Sequence, residues 1–396
     1  MLLMVMLLAF LLTILGWYVA RDIFAPCVAG PGIWAAIIAM YYIVPNDYFP
    51  ICHDFPLSVS LWLVGFFVAS VWTAWKTPIG STNYGSPNKW VLRGYVTITV
   101  IAVPIMSFML LWKAFTTEPE TMFRYLRVMA VGFDDNIQPP NFGPLVYAIG
   151  ISYVTLLFVM LYFKNKWVIG MVIFVSFLSA FVQMAKINFL TVLFTLMYAG
   201  YRRGLFKLKH MAYALCVFLV LCFIMQVART GDQGDSVGIA DSLSLYTTSA
   251  MVCFDYYAMP CSSVNFGENV FRFFYAVGHP LGLCAEPIGV ISNFVSIPDL
   301  ANTFSVIYPF YVDFGNVGVF IFSILYGVFY GFLYKKSKGG DKMFLIIYAI
   351  FFVLLLLEFF AEQVFTNLSM NIQYIFFTVL PFVLGRKDNQ AEALSK

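Results

Sequence analysis

The feature that most constrains this chain is a series of apolar runs, each close to the length of a membrane-spanning helix. A helix needs roughly 20 apolar residues to cross the hydrocarbon core of a bilayer. Eleven such runs follow one another along the chain: Leu2–Ala20, Val28–Val44, Leu57–Trp75, Gly94–Trp112, Pro144–Phe163, Trp167–Met184, Ile187–Tyr201, Met211–Ala228, Asp313–Tyr334, Met343–Ala361 and Asn371–Gly385. Charged residues make up only 11% of the 396 positions, far below the roughly 25% of a soluble domain. The sequence therefore predicts an all-α polytopic membrane protein with about eleven transmembrane helices, in which residues 1–396 form a single integral membrane domain.

Basic residues predict the orientation, because cytoplasmic loops of membrane proteins carry an excess of Lys and Arg. With the cluster around Arg202 and Arg203 placed inside, 17 of the 23 Lys and Arg residues lie on the cytoplasmic side. The N-terminus is then periplasmic and the C-terminus cytoplasmic, which predicts a multi-pass protein of the bacterial inner membrane. The first run has no basic segment before it and no cleavage site of small residues, so we interpret it as a retained helix.

Two loops on the predicted outer side are long enough to carry function. They span residues 113–143 and 229–312, and the second joins spans 8 and 9. A loop of that length exceeds what a connection needs, and such loops are usually functional. We expect short amphipathic helices in it, and we expect the functional site on the outer face.

Six basic residues remain on the outer side: Lys113, Arg124, Arg127, Lys186, Arg229 and Arg272. Lys186 and Arg229 mark the outer ends of neighbouring spans, at the same depth. Such a pair suits a pyrophosphate, because charge-assisted hydrogen bonds to phosphate are strong. The alternative is that both side chains extend to lipid head groups.

Arg124 and Arg127 lie three residues apart, and so on one face of a predicted amphipathic helix. A helix that lies on the membrane surface fits this pattern as well as a substrate contact does. Arg272 is similar, because aromatic residues flank it on one side and charged residues on the other.

Histidines and acids near the outer side are further residues that could carry chemistry. His279 lies in the long outer loop, with Glu286 seven residues later, and histidine is the usual base near neutral pH. Asp313 opens the ninth span, where an acid also stabilises a helix N-terminus. His53 lies beside Asp54 in a short outer loop, and we assign it to a turn. The chain has too few His and Cys residues at ligand spacing to predict a metal site, and it has no nucleotide-binding, metalloprotease or serine-hydrolase motif.

The segment from Asn302 to Gly318, with Pro309-Phe310-Tyr311-Val312-Asp313-Phe314-Gly315 at its centre, resembles the most recognisable stretch of Wzy-type oligosaccharide repeat-unit polymerases. In that family, which includes the O-antigen and capsule polymerases, an Asn-Thr-aromatic run leads to Pro-x-Tyr-x-Asp-Phe-Gly and directly into a membrane span with a basic cytoplasmic end. The resemblance covers the whole chain in topology and about 17 residues in motif. One departure is Lys186, where the family more often has arginine, and lysine binds phosphate only as a point charge.

The resemblance implies a metal-independent membrane glycosyltransferase with a GT-C-like architecture and no cofactor. Donor and acceptor would be oligosaccharides linked to undecaprenyl pyrophosphate, and membrane lipid and a chain-length regulator protein would be further partners, with no nucleic acid. Lys186, Arg229 and Arg272, with Arg124 and Arg127 as further candidates, would bind the pyrophosphate. His279, Asp313 or Glu286 would act as the base.

Two other functions compete with polymerisation. A lipid-linked oligosaccharide flippase or other transporter usually carries charged residues near the bilayer midplane, whereas here the charges gather at the outer ends of the spans. An O-antigen ligase shares the donor and the compartment, and only the Pro-Phe-Tyr-Val-Asp-Phe-Gly stretch favours the polymerase over it.

Overall fold

The computed structural model describes residues 1–78, 85–131, 137–230, 239–289 and 291–394, and these are almost entirely helical. The helices are α1 (Leu2–Ala20), α2 (Pro26–Ile43), α3 (Phe55–Lys76), α4 (Lys89–Thr117), α5 (Met122–Val131), α6 (Tyr147–Tyr162), α7 (Lys166–Val182), α8 (Lys186–Arg202), α9 (Leu208–Thr230), α10 (Ile239–Thr247), α11 (Ser249–Tyr257), α12 (Arg272–Gly278), α13 (Tyr308–Lys338), α14 (Lys342–Leu356) and α15 (Leu368–Leu394). The structure also has two short antiparallel strands, β1 (Val295–Ser296) and β2 (Leu300–Ala301). Two 3-10 turns lie at Gly143–Val146 and His279–Leu281.

Each of the eleven apolar runs overlaps a helix. Seven helices within the described residues are long and apolar enough to cross a membrane: Leu2–Ala20, Pro26–Ile43, Phe55–Lys76, Lys89–Thr117, Gly143–Tyr162 (with its 3-10 turn), Tyr308–Lys338 and Leu368–Gly385. Shorter apolar helices lie at Lys166–Val182, Ala212–Met225 and Lys342–Leu356. The chain is thus an all-α polytopic membrane protein, as the sequence predicts, while the count of eleven spans stays a prediction. Short helices do occupy the long loop, at α10, α11 and α12.

The chain divides into two compact units, each built from several stretches of sequence. Unit 1 comprises residues 1–81, 238–340 and 354–371, and unit 2 comprises residues 82–237, 341–353 and 372–396. The single domain and the two loop boundaries remain predictions.

Unit 1 is organised around the pair α3 and α13, whose backbones approach closely because small residues line their contact. A Cβ atom added at Gly327 would lie 2.5 Å from the carbonyl oxygen of Phe66, and one at Gly331 would lie 2.6 Å from that of Ser70. A Cβ atom added at Gly65 would likewise clash with the side chain of Ser323. Small residues at helix contacts are a common way for membrane helices to gain dispersion contacts.

The two ends of α13 differ in character. At its C-terminal end, the Tyr334 hydroxyl donates to Asp22 Oδ2 at 3.0 Å, and Lys338 Nζ donates to the Ala20 carbonyl at 3.2 Å. At its N-terminal end, the Tyr311 hydroxyl donates to Asp54, and the Tyr311 and Val312 carbonyls accept from the N–H groups of Cys261 and Ser262. We use the name loop end of unit 1 for this end of α13 together with residues 45–55, 239–289, 291–307 and 357–366 of the same unit. There α13 is kinked at Gly315, which has φ 63° and ψ −160°, a conformation accessible to glycine.

Unit 2 contains α4 to α9 and most of α14 and α15. Thr99 of α4 donates to Thr155 of α6 at 3.2 Å, and Tyr198 of α8 stacks on Phe352 of α14 with ring centroids 5.9 Å apart. An apolar cluster joins α4, α5, α7, α8 and α9, and we name it the Met184 cluster. Its buried members are Leu110, Ala114, Tyr125, Leu126, Met129, Ala180, Val182, Met184, Phe189 and Met225.

Candidate functional site

Four of the cations predicted to bind pyrophosphate lie on elements that meet at the Met184 cluster in unit 2. Lys186 is the first residue of α8, two residues after Met184 and three before Phe189, both of which are buried in the cluster. It is half-buried, and it stands at the helix end where the backbone dipole disfavours a cation. A cation placed there is stabilised by a neighbouring anion, which is the environment a phosphate would supply.

The helix α5 packs its apolar face into the same cluster. Tyr125, Leu126 and Met129 are buried, whereas Arg124 is exposed and Arg127 half-buried. The predicted amphipathic helix is therefore present. Its apolar residues pack against other helices of the protein. Arg124 and Arg127 are thus less buried than the apolar residues of this helix that join the cluster.

Arg229 lies in the last turn of α9, one turn beyond Met225 of the cluster. The structure describes the backbone of this turn, and the Arg229 side chain lies outside the described residues. Another cation, Lys113, directly precedes Ala114 of the Met184 cluster in the sequence. Its Nζ atom donates to the Gln138 carbonyl at 2.6 Å.

The remaining predicted residues lie at the loop end of unit 1. Asp313 is buried inside α13 and does not cap that helix. Its Oδ2 accepts from the backbone N–H groups of Asn269 at 3.1 Å and Val270 at 2.9 Å, and its Oδ1 accepts from Asn269 Nδ2 at 2.7 Å. The carboxylate thus fixes the segment before α12 against α13.

Other residues of the Asn302–Gly318 segment tie the same end together. The Tyr311 hydroxyl donates to Asp54 Oδ2 at 2.7 Å, and Phe310 stacks between Trp62 and Phe322, with centroids 5.7 and 4.4 Å away. The segment on which the family resemblance rests is therefore the structural junction between α3, α13 and the long loop.

Arg272, His279 and Glu286 are less enclosed. Arg272 opens α12, is half-buried, and donates from Nε to the Ile288 carbonyl at 2.7 Å. Its partial burial lowers the pKa of the guanidinium. His279 is exposed, with Nδ1 3.3 Å from the Cys284 carbonyl oxygen, and Glu286 is also exposed. Arg272, His279 and Glu286 therefore stay predicted site residues. Each of them has surface that a substrate could reach.

The structure also assembles a group that the sequence does not predict. Asp255 of α11, whose side chain is fully buried, faces His53 in the loop before α3, with Oδ2 3.0 Å from Nδ1. The same carboxylate accepts from the backbone N–H groups of Cys52 at 2.8 Å and Phe55 at 3.0 Å. No periodicity or spacing signals this contact, because the two segments lie 202 residues apart.

Comparison with known proteins gives one distant relative. The chain is similar to "Uncharacterized protein MJ0419" of Methanocaldococcus jannaschii, at 23% identity over 262 residues that cover 61% of this chain and 69% of that protein. No protein-family model and no solved structure matches the chain. The relative's name states no activity.

Proposed function

We propose that this protein polymerises oligosaccharide repeat units carried on undecaprenyl pyrophosphate, at the periplasmic face of a bacterial inner membrane. It would act as a metal-independent glycosyltransferase with a GT-C-like arrangement of about eleven spans. The sequence support is the Asn302–Gly318 segment and the distribution of basic residues.

The observation that carries the proposal is that four cations predicted to lie on the outer side are on elements that meet at the Met184 cluster. Lys186, Arg124 and Arg127 lie on helices that pack into one apolar cluster, and Arg229 lies in the last turn of the helix that contributes Met225. A pyrophosphate leaving group needs cations where negative charge develops. The Phe181 ring, which is 40% exposed and contacts Phe123 of α5, would offer apolar surface to the first carbons of a polyprenyl chain.

In unit 2, the cations on elements of the Met184 cluster would bind the donor pyrophosphate. In unit 1, the family resemblance assigns phosphate binding to Arg272. His279 would take the proton from the acceptor hydroxyl, because its imidazole is exposed, whereas both oxygens of Asp313 already accept hydrogen bonds. The acceptor oxygen then bonds to the anomeric carbon, and undecaprenyl pyrophosphate leaves.

The test is a surface-polysaccharide gel from a strain that lacks the gene and carries plasmid-borne variants. We expect Lys186→Ala and Arg229→Ala to lower polymer about 100-fold, the scale of losing a group that stabilises developing charge, at unchanged protein level. Lys186→Arg should retain polymer, because it keeps the cation. Lys336→Ala, at the predicted cytoplasmic end of α13, is the matched control and should give a normal ladder.

The same gel separates the competing functions. A deletion strain whose ladder collapses to core plus one repeat unit supports the polymerase. Loss of every repeat unit from lipid A, with repeats left on the lipid carrier, would instead identify a ligase. A normal ladder from both alanine variants would remove the pyrophosphate site.

A transporter of lipid-linked oligosaccharides is the second candidate, because two glutamates of unit 1 are buried near the end of the predicted tenth span. Glu358 and Glu362 are 2% and 4% exposed. The Glu358 Oε2 atom accepts from Trp62 Nε1 at 3.2 Å, while its Oε1 atom has no hydrogen-bond partner among the described residues. Ionisable groups within membrane proteins often serve transport. Repeat units trapped on the cytoplasmic face of the deletion strain would favour this function.

A further inference from the structure

We propose that Cys52, His53 and Asp255 form a binding site for a zinc-type divalent cation at the loop end of unit 1. The inference is independent of the proposed glycosyltransferase function, because none of these residues is assigned a part in that reaction.

The three side chains already stand near ligand separation. The Cys52 Sγ atom lies 3.8 Å from His53 Nδ1, and His53 Nδ1 lies 3.0 Å from Asp255 Oδ2. One ligand atom from each residue lies within 4.8 Å of the other two. With zinc bonds of about 2.3 Å to sulfur and about 2.0–2.2 Å to nitrogen and oxygen, a tetrahedral site separates its ligand atoms by about 3.3–3.6 Å. Small side-chain movements bring the set into that range.

The surroundings hold two of the ligands in place before an ion arrives. Backbone N–H groups of Cys52 and Phe55 fix the buried Asp255 carboxylate. The Tyr256 and His53 rings pack edge to face, with centroids 5.1 Å apart. Groups that orient metal ligands in this way commonly change affinity by 10–100-fold.

The site is open to solvent on the side of Cys52 and His53. Cys52 is exposed and the His53 side chain is 54% exposed, whereas the Asp255 side chain is 0% exposed. An ion can therefore enter from solvent, bind the two exposed ligands and reach the carboxylate behind them. Three protein ligands leave a fourth position for water.

The chemistry of the donors selects zinc among common cations. One thiolate, one imidazole and one carboxylate form a mixed set of borderline softness, which suits Zn²⁺ better than Ca²⁺ or Mg²⁺. On binding, the Cys52 thiol releases its proton to solvent, and His53 binds in its neutral form with the remaining proton on Nε2. The ion takes the place of the contact between Nδ1 and Oδ2 and strengthens the link between the loop before α3 and α11.

The test uses metal-free, full-length protein in detergent, titrated with Co²⁺ as the spectroscopic substitute for Zn²⁺. We expect about one Co²⁺ per chain, a thiolate-to-cobalt charge-transfer band in the near ultraviolet, and loss of that band when Zn²⁺ is added. Cys52→Ser should remove the band, and His53→Ala should weaken affinity at least about tenfold. Both substitutions are at exposed positions, so the variants should fold.

The matched control is Cys261→Ser/Cys284→Ser, which removes two other thiols of the long loop and should keep the band. Thermal unfolding adds a second measurement: Zn²⁺ should raise the Tm of the parent protein and of this control, and leave that of Cys52→Ser unchanged. An unaltered band in Cys52→Ser, or no band in the parent protein, would overturn the proposal.

Discussion

At the scale of single residues, buried carboxylates of the loop end serve as acceptors for distant backbone N–H groups. Asp255 receives N–H groups from the loop before α3, and Asp313 receives those of Asn269 and Val270. Glu268 does the same locally, accepting from Val264 N at 2.8 Å. Unpaired backbone groups are costly when buried, so these acids hold irregular chain in place without long secondary structure.

Asp313 provides a residue-scale prediction that separates anchoring from catalysis. Asp313→Ala leaves several donors without an acceptor, and we expect the free energy of unfolding to fall by about 2–3 kcal/mol, measured by chemical unfolding in detergent. Asp313→Asn keeps one acceptor oxygen and should lose less.

Polymer production by the two Asp313 variants, measured on the same gel, completes the test. If Asp313 is an anchor, polymer should decline in step with stability, and Asp313→Asn should stay partly active. A stable Asp313→Asn protein that makes no polymer would instead support the base role predicted from sequence.

At the scale of elements, α13 combines two tasks. Its glycines allow α3 to approach closely, and its kinked N-terminal turn carries the residues that bind the long loop. A helix with bulky residues at Gly327 and Gly331 could not approach α3 as closely, and its loop contacts would shift with it.

The prediction at this scale concerns Gly327. Gly327→Leu should force α3 and α13 apart, because its Cβ would already lie 2.7 Å from the Ala69 Cβ. Overpacking of this kind costs about 1–3 kcal/mol. The thermal unfolding midpoint in detergent should fall accordingly. Leu325→Phe, which adds volume on the exposed face of the same helix, is the control, and an equal fall in both variants would contradict the account.

At the scale of the whole molecule, the predicted orientation can be tested by labelling single cysteines in intact cells. In a chain whose other six cysteines are serine, we expect the exposed Cys261 of the long loop to react with a membrane-impermeant maleimide. A cysteine placed by Lys336→Cys in a cysteine-free chain should react only after the membrane is permeabilised. Exchange of the two patterns would reverse the orientation derived from the basic residues.

The sequence alone determined where the helices lie, because each apolar run carries its own signal. The first run coincides with α1. In the structure, asparagines cap two other helices near the start of a run: Asn88 Oδ1 accepts from the N–H groups of Trp90 and Val91, and Asn165 Oδ1 accepts from that of Trp167. Hydrophobic length and helix capping act over a few turns of chain, so they can be read locally.

Only the tertiary structure decided which side chains meet. The sequence put Asp313 at the start of a span, and packing buried it beneath Asn269 and Val270. It assigned His53 to a turn, and folding brought the buried Asp255 to its imidazole. These contacts join segments tens to hundreds of residues apart and depend on helix packing, which leaves no periodic trace in the sequence.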